Sequence, residues 1–298
     1  MEREIISNKV LRDRIIFFVV LAFALFYLGW RMLFSLPFGS GFFGALIFSL
    51  GMLLLYAEVL DTFQLLVQQF ALTNKAVPPV PEVPIGAYPE IDIFITTIDE
   101  PAALLRKTIN GCRYLHYPDT GKLRIHLLDD GKRPEIQALA WQLGINYLSR
   151  KESTGKRDYS SGISSKALML NHALANTSAP LVVALNADTL PLHNFLMKTV
   201  PYFVENQLKR RDAPDELKPV ELGFVQTAFS SYNPDLFQYN LFSEEDLPNE
   251  QDFFNKRVQI AHNASNSVIY CGTSAVLKRS ALNAIGGFYT ELDADGLG

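Results

Sequence analysis

The chain has 298 residues and a formal net charge of −4, and 48% of its residues are hydrophobic while 19% are charged. Nucleic-acid binding needs clustered positive charge, so this acidic balance gives it no electrostatic basis. The two cysteines, Cys112 and Cys271, are too few for a disulfide framework and lack metal-ligand spacing.

The first sixty residues carry most of the apolar excess. Residues 15–30 contain no charge, and the run reaches spanning length at Leu36 if Arg31 extends its side chain to the membrane interface. A second uncharged run follows a short turn and stays apolar to Leu60. We therefore predict a transmembrane hairpin over residues 15–60. A cleaved signal peptide is the alternative, but the second apolar run argues against it.

Basic residues set the predicted orientation of this hairpin. Four of them precede the first apolar run, namely Arg3, Lys9, Arg12 and Arg14. The turn between the two apolar runs contains no basic residue. The positive-inside rule then places residues 1–14 and everything after the second span in the cytosol. The prediction is a multi-pass protein of the cell (plasma) membrane. Residues 61–89 would form an amphipathic segment and a proline-rich linker.

From Glu90 onward the pattern alternates between strands and helices, which predicts an α/β domain over residues 90–298 with a largely parallel sheet. The predicted strands are 91–97, 123–128, 145–148, 181–185 and 222–227. The predicted helices are 102–115, 133–143, 164–176 and 193–204.

Three polar turns each follow a predicted strand, at residues 96–100, 129–131 and 186–188. The carboxyl ends of parallel strands meet at one sheet edge, where α/β folds bind ligands. Asn186 and Asp188 offer the hard oxygen ligands that Mg²⁺ or Mn²⁺ prefers, although turn-forming residues at a strand end are the plainer interpretation. Clustered carboxylates favour a divalent cation carrying a diphosphate. Lys166 could add positive charge at a helix start, or could be a solvated surface lysine.

Eight segments in order between Glu90 and Thr290 resemble one known family: residues 93–101, 126–133, 166–174, 186–188, 224–227, 232–235, 271–277 and 286–288. They are similar to the processive family-2 glycosyltransferases of the cellulose-synthase type. The resemblance implies a GT-A type, Rossmann-like nucleotide-sugar domain preceded by two transmembrane helices. It also implies inverting transfer from a UDP-sugar, with UDP-glucose favoured, to a growing β-linked glycan such as cellulose.

The resemblance implies site residues as well. The nucleoside end of a UDP-sugar site would be formed by Thr97, Asp99, Glu100 and Asp129 or Asp130. Lys166 would lie at the diphosphate, and Asp188 with Asn186 would hold Mg²⁺ or Mn²⁺. The donor-sugar and acceptor channel would be lined by Gln226, Thr227, Cys271, Gly272 and Thr273. The metal would act as a Lewis acid on the departing UDP.

Departures from the family pattern lead to further expectations. The family's Asp-Ala-Asp is here Asn186-Ala187-Asp188, and the loss of one anionic ligand should weaken metal binding. The family usually has Asn where this chain has Asp99. Beyond Gly-Gly-Phe the family continues to a Thr-Glu-Asp general base and a Gln-x-x-Arg-Trp motif. In this chain only Asp295 lies near the place of that base. We therefore expect a donor-binding half, an unknown catalytic base and doubtful activity for this chain alone.

Two alternatives stay open beside the synthase reading. The chain could be a catalytically degenerate, membrane-anchored partner subunit of a synthase complex, or it could be a glycolipid glycosyltransferase. No G-x-G-x-x-G motif and no P-loop motif occurs in the sequence, so a dinucleotide or ATP site has little support.

Overall fold

The computed structural model describes residues 2–73, 77–150, 165–233, 236–241 and 250–290; Asp295 lies outside them. The chain divides into two compact units. The helical unit comprises Met1–Val77 and Ser231–Val268, and the sheet unit comprises Pro78–Ser230 and Ile269–Gly298.

The helical unit contains two long helices, α1 (Glu2–Phe34) and α2 (Gly41–Thr73), of 33 residues each. Its shorter helices are α7 (Leu236–Leu241), α8 (Glu250–Phe253) and α9 (Gln259–Asn263), with a π-helical turn at Phe254–Val258. The stretches Leu11–Phe34 and Gly41–Thr73 are long and apolar enough to cross a membrane. Their large apolar side chains are mostly exposed, as expected for helices that would contact lipid.

The two long helices run antiparallel, because Phe17 contacts Phe70 while Arg31 contacts Glu58. The amphipathic segment predicted from residue 61 is therefore the continuation of α2, and it lies along the first half of α1. The Arg31 guanidinium donates to Glu58 Oε2 over 2.9 Å and to Ser35 Oγ over 2.7 Å. The Arg31 charge is therefore compensated by Glu58 between the two helices.

The sheet unit contains six strands: β1 (Ile91–Thr97), β2 (Leu123–Asp129), β3 (Asn146–Leu148), β4 (Leu181–Asn186), β5 (Phe224–Gln226) and β6 (Ala275–Lys278). Its helices are α3 (Ala102–Arg113), α4 (Pro134–Leu143), α5 (Ser165–Ala175), α6 (Phe195–Asp212) and α10 (Arg279–Ala284). Short 3₁₀ helices occupy Ile85–Ala87, Thr120–Lys122 and Asp215–Leu217.

The strand order is β3-β2-β1-β4-β6-β5. The first four strands in this order are parallel, as predicted, whereas β6 runs antiparallel to both β4 and β5. No strand is predicted from the sequence pattern at the position of β6, which is only four residues long. Its pairing with strands far away in the sequence is what makes it a strand.

Both faces of the sheet are covered, which explains the continuous apolar runs of β1 and β4. Alternate side chains of β1 contribute to two separate cores. Ile93 and Ile95 pack with residues of α3 and α6, and Phe94 packs on the other face with residues of α5. The fully buried central strands hold their carboxyl ends at fixed positions. Thr97 is in register with Asp129, and Thr96 with Asn186, so all three polar turns share one edge.

Candidate functional site

The turns that follow β1 and β2 form one joined structure. Asp130 N donates to Thr97 O over 3.0 Å. A Cβ atom on Gly131 would lie 2.3 Å from the Ile98 carbonyl oxygen, so only glycine fits at this approach of two backbones.

Asp129 is fully buried at the end of β2, and its carboxylate is bound within the protein. Oδ1 accepts from Gly131 N over 3.1 Å and from Arg133 Nε over 3.2 Å. Oδ2 accepts from Arg133 N over 2.7 Å and from the Tyr147 hydroxyl over 3.0 Å. A carboxylate with four such donors is held in one orientation.

Asp130 is also nearly buried, with 4% of its surface exposed. Arg150 binds it in a bidentate manner, with Nη2 donating to both carboxylate oxygens over 2.9 Å. The sequence pattern does not indicate a site role for Arg133, Tyr147 or Arg150. Only the i,i+4 spacing of Asp129 and Arg133 could have signalled one of these contacts.

The turn after β1 is ordered by its own side chains. Glu100 Oε2 accepts from the Thr97 hydroxyl and from Ile98 N, each over 2.8 Å. Arg133 Nη2 donates to Thr97 Oγ1 over 2.8 Å. Asp99 is exposed. The structure thus brings together Thr97, Glu100 and Asp129, and leaves Asp99 facing solvent.

The turn after β4 presents Asn186 half-buried and Asp188 exposed. Thr189 N donates to Asn186 O over 3.1 Å, which closes the turn, and the Thr108 hydroxyl of α3 donates to Ala187 O over 2.6 Å. These bonds leave the side chains of Asn186 and Asp188 to define the polar surface of this turn.

Lys166, in the first turn of α5, is not the solvated surface lysine of the plainer interpretation. Its Nζ donates to Gly272 O over 2.9 Å. Burial lowers the pKa of Lys166 to about 8, and the negative charge of Asp188 acts in the opposite direction. Lys166 and Asp188 are therefore close enough to interact, and Lys166 connects α5 to the Cys271–Ser274 loop.

The Cys271–Ser274 loop has left-handed backbone conformations at Gly272 (φ 74°) and Ser274 (φ 56°). The Gln226 side chain holds this loop, because Nε2 donates to Thr273 O over 3.0 Å and Oε1 accepts from Cys271 N over 3.1 Å. Thr227 Oγ1 donates to Ser274 O over 2.6 Å.

Thr273 connects the same loop to the turn after β4, since its Oγ1 lies 3.4 Å from Asn186 N and 3.3 Å from Thr189 Oγ1. All five residues assigned to the sugar channel thus belong to one structure at the site edge. The Gln226 amide, however, is engaged in supporting that structure.

The site edge offers a divalent metal the Asn186 amide oxygen and the Asp188 carboxylate. Within the described parts of the chain, no group of three or more His, Cys, Asp or Glu side chains could hold a metal ion. A magnesium-type site commonly uses one or two protein ligands together with substrate phosphates and water. The two oxygen donors fit a metal of that kind, shared with a diphosphate.

Comparison with known proteins agrees with the resemblance read from the sequence. No protein-family model matches the chain. The chain is homologous to cellulose synthases, being 32% identical over 292 residues to cellulose synthase 1 of Komagataeibacter xylinus. It is also 32% identical over 273 residues to the UDP-forming cellulose synthase catalytic subunit of Xanthomonas axonopodis pv. citri. These alignments cover 96% and 89% of the chain, but only 17% and 33% of the relatives.

A solved structure supports the predicted fold. The mannosyltransferase of Pyrobaculum calidifontis, determined with GDP-mannose and Mn²⁺, superimposes with a TM-score of 0.51 at 22% identity. The match covers 78% of this chain and 56% of that protein. The GT-A type α/β fold is therefore confirmed.

Proposed function

We propose that the chain is the donor-binding part of a membrane-bound inverting glycosyltransferase. It would use a UDP-sugar, with UDP-glucose favoured, to extend a β-linked glycan. The observation that carries this proposal is the convergence of the three polar turns on one sheet edge, where the half-buried Lys166 interacts electrostatically with Asp188. The cellulose synthase relatives support the reaction class and the donor.

The site residues divide between the two ends of such a donor. The joined turns after β1 and β2 would bind the nucleoside, with Thr97 and Glu100 already oriented. Lys166 would lie beside the diphosphate, where its positive charge opposes the charge of the phosphates. The Cys271–Ser274 loop would then lie against the sugar and the acceptor.

Asn186 and Asp188 would hold Mg²⁺ or Mn²⁺ on the diphosphate. When bound, such a metal acts as a Lewis acid that stabilises the charge of the departing nucleotide. Of the two proposed metal ligands, Asp188 would contribute the negative charge, because Asn186 is neutral. Lys166 would add a second, fixed positive charge on the protein side.

The apolar helices α1 and α2 support a membrane location for the proposed enzyme. In this arrangement the hairpin anchors the chain in the cell membrane, and the glycosyltransferase domain faces the cytosol. The acceptor would be a growing glycan, and other subunits of a synthase complex would be the protein partners.

Calorimetric titration of the full chain in detergent micelles tests the proposal, with UDP-glucose as ligand and with or without Mn²⁺. We expect Mn²⁺-dependent binding, weakened about tenfold or more in Asp188→Asn because the metal loses its charged ligand. Asp212→Asn, which removes an exposed carboxylate at the end of α6, serves as the matched control and should bind normally. A wild-type chain that binds neither UDP nor UDP-glucose would contradict the proposal and favour the non-catalytic partner subunit.

A further inference from the structure

One side chain connects the separate pieces of the nucleoside end of the site. The Arg133 guanidinium donates to Asp129 Oδ1 at the end of β2, to Thr97 Oγ1 at the end of β1 and to Glu100 O just before α3. The last of these distances is 2.6 Å.

The guanidinium itself is fixed in place. Arg133 N donates to Asp129 Oδ2 over 2.7 Å, so the backbone and the side chain of Arg133 bind the same carboxylate. Pro134 follows at the first position of α4 and restricts the chain there. Tyr147, from β3, holds the other side of Asp129 through its hydroxyl. Only 18% of the Arg133 side chain is exposed.

A guanidinium suits this task because it is planar and carries donors in several fixed directions. A lysine ammonium is a point charge on a flexible stem, and it could satisfy Asp129 without reaching the Thr97 hydroxyl and the Glu100 carbonyl together. The close approach of Gly131 to the Ile98 carbonyl leaves the two turns no room to shift towards each other. The Arg133 bridge adds side-chain contacts to the backbone hydrogen bond from Asp130 N to Thr97 O, and together they hold the two turns in one relative orientation.

We propose that Arg133 is the positioning residue of the nucleoside end of the site. It sets the orientation of Thr97 and Glu100 relative to the turn after β2, and Asp129 acts through it as its anchor. This inference rests on the proposed function, because it assumes that the joined turns receive the nucleoside. It assigns a supporting role to Asp129, one of the two carboxylates, Asp129 or Asp130, to which the family resemblance gives the nucleoside contact.

The test compares two probes, UDP and inorganic pyrophosphate, each titrated with Mn²⁺ into the full chain. Pyrophosphate reports the diphosphate end alone, and it also reports that a variant is folded. In Arg133→Met we expect UDP affinity to fall about 10- to 100-fold. Loss of the bridge would displace Thr97 and Glu100, and even a small misplacement of contacting groups is costly. Pyrophosphate affinity should change less than about twofold. Within the described residues, no hydrogen bond joins Arg133 to Lys166 or to Asp188.

Two further variants sharpen the result. Arg133→Lys keeps the charge at Asp129 and should recover only part of the UDP affinity. Arg106→Met, which removes an exposed arginine that binds Gln142, is the matched control and should leave both affinities unchanged.

Equal losses for UDP and pyrophosphate in Arg133→Met would overturn the inference, because they would mark a general effect on folding. Unchanged UDP affinity, or full recovery by lysine, would overturn it as well. A wild-type chain that binds pyrophosphate but no UDP would refute the nucleotide site itself, which separates failure of the proposed function from failure of this inference.

Discussion

The ammonium group of Lys166 titrates near neutral pH, because burial lowers its pKa to about 8. The unfolded pKa is higher, near 10.5. Relative to the unfolded chain, the fold disfavours the charged amine, and the resulting destabilisation is complete below about pH 8 and declines as pH rises from about 8 to 10.5. A bound diphosphate has the opposite preference, since it stabilises the charged amine. Nucleotide binding should consequently take up a proton above about pH 8.

We expect the affinity for UDP to be nearly constant below about pH 7 and to fall about tenfold by pH 9, where about one amine in eleven remains charged. Lys166→Arg keeps its charge throughout this range and should show little change of affinity with pH. Titration calorimetry between about pH 6.5 and 9.5 measures both proteins. The same slope in Lys166→Arg would mean that another group takes up the proton.

Asn186 is the second residue with a direct prediction. Its amide offers a neutral oxygen where an aspartate would offer a charged one. Asn186→Asp should therefore tighten Mn²⁺-dependent UDP binding by up to about tenfold, or about 1.4 kcal/mol. Asn176→Asp, an exposed residue next to the end of α5, controls for a charge added elsewhere. Equal effects of the two substitutions, or none from Asn186→Asp, would show that Asn186 does not face the metal.

At the scale of elements, an ion network joins strands and helices at the sheet edge opposite the site. Asp92 on β1 is fully buried and accepts from His126 on β2 over 3.0 Å, from Ala179 N over 2.9 Å and from Arg279 of α10 over 2.8 Å. Burial acts to raise the pKa of Asp92. The hydrogen bonds from His126 and Ala179 and the charges of His126 and Arg279 outweigh it, and the pKa lies below its usual value.

Removal of one partner from this network should be strongly destabilising, because it leaves a buried charge with fewer partners. Arg279→Met should lower the free energy of unfolding by about 3–5 kcal/mol. Arg124→Met removes a half-exposed partner of Glu90 and should change it by about 0–1 kcal/mol. Urea unfolding measures both.

The pH dependence provides a second check on the network. A carboxyl group with a lowered folded pKa stabilises the fold above its unfolded pKa, and this contribution is lost as pH falls through the folded value. The stability difference between wild type and Arg279→Met should therefore shrink below about pH 4. A difference that stays constant down to about pH 2 would assign the effect to packing instead of charge.

At the scale of the whole molecule, the predicted membrane topology determines from which side of the membrane each segment can be labelled. A helix of 33 residues is about 50 Å long, which exceeds the roughly 30 Å of a bilayer's apolar core, so α2 has ample length to span it. A cysteine introduced at Pro84, in a Cys271→Ser background in which the remaining Cys112 is buried, should be labelled by an impermeant reagent only from the cytosolic side. A cysteine at Ser40, in the turn between α1 and α2, should be labelled only from outside. Reversed labelling would contradict the orientation, and labelling of both from one side would contradict two spans.

The sequence alone determined the features that depend on local pattern. The apolar runs of β1, β2 and β4 predicted those strands to within one residue at either end. Parallel order then placed the three polar turns at one edge, because strands joined by helices in this way point in the same direction. The two long apolar helices follow in the same manner from composition, since a helix that is apolar all round must be buried or lie in lipid.

Only the tertiary structure decided which polar groups became partners. Arg279 and Asp92 are separated by 187 residues, and Lys166 and Gly272 by 106, so no local pattern links them. No local pattern links the partners in three other contacts either. These are the bridge from Arg133 to Thr97, the antiparallel pairing of β6 and the Arg31–Glu58 contact. A polar side chain that is buried requires a hydrogen-bond partner. The sequence identifies such side chains, but their partners depend on tertiary packing, which brings distant segments within about 3 Å of each other.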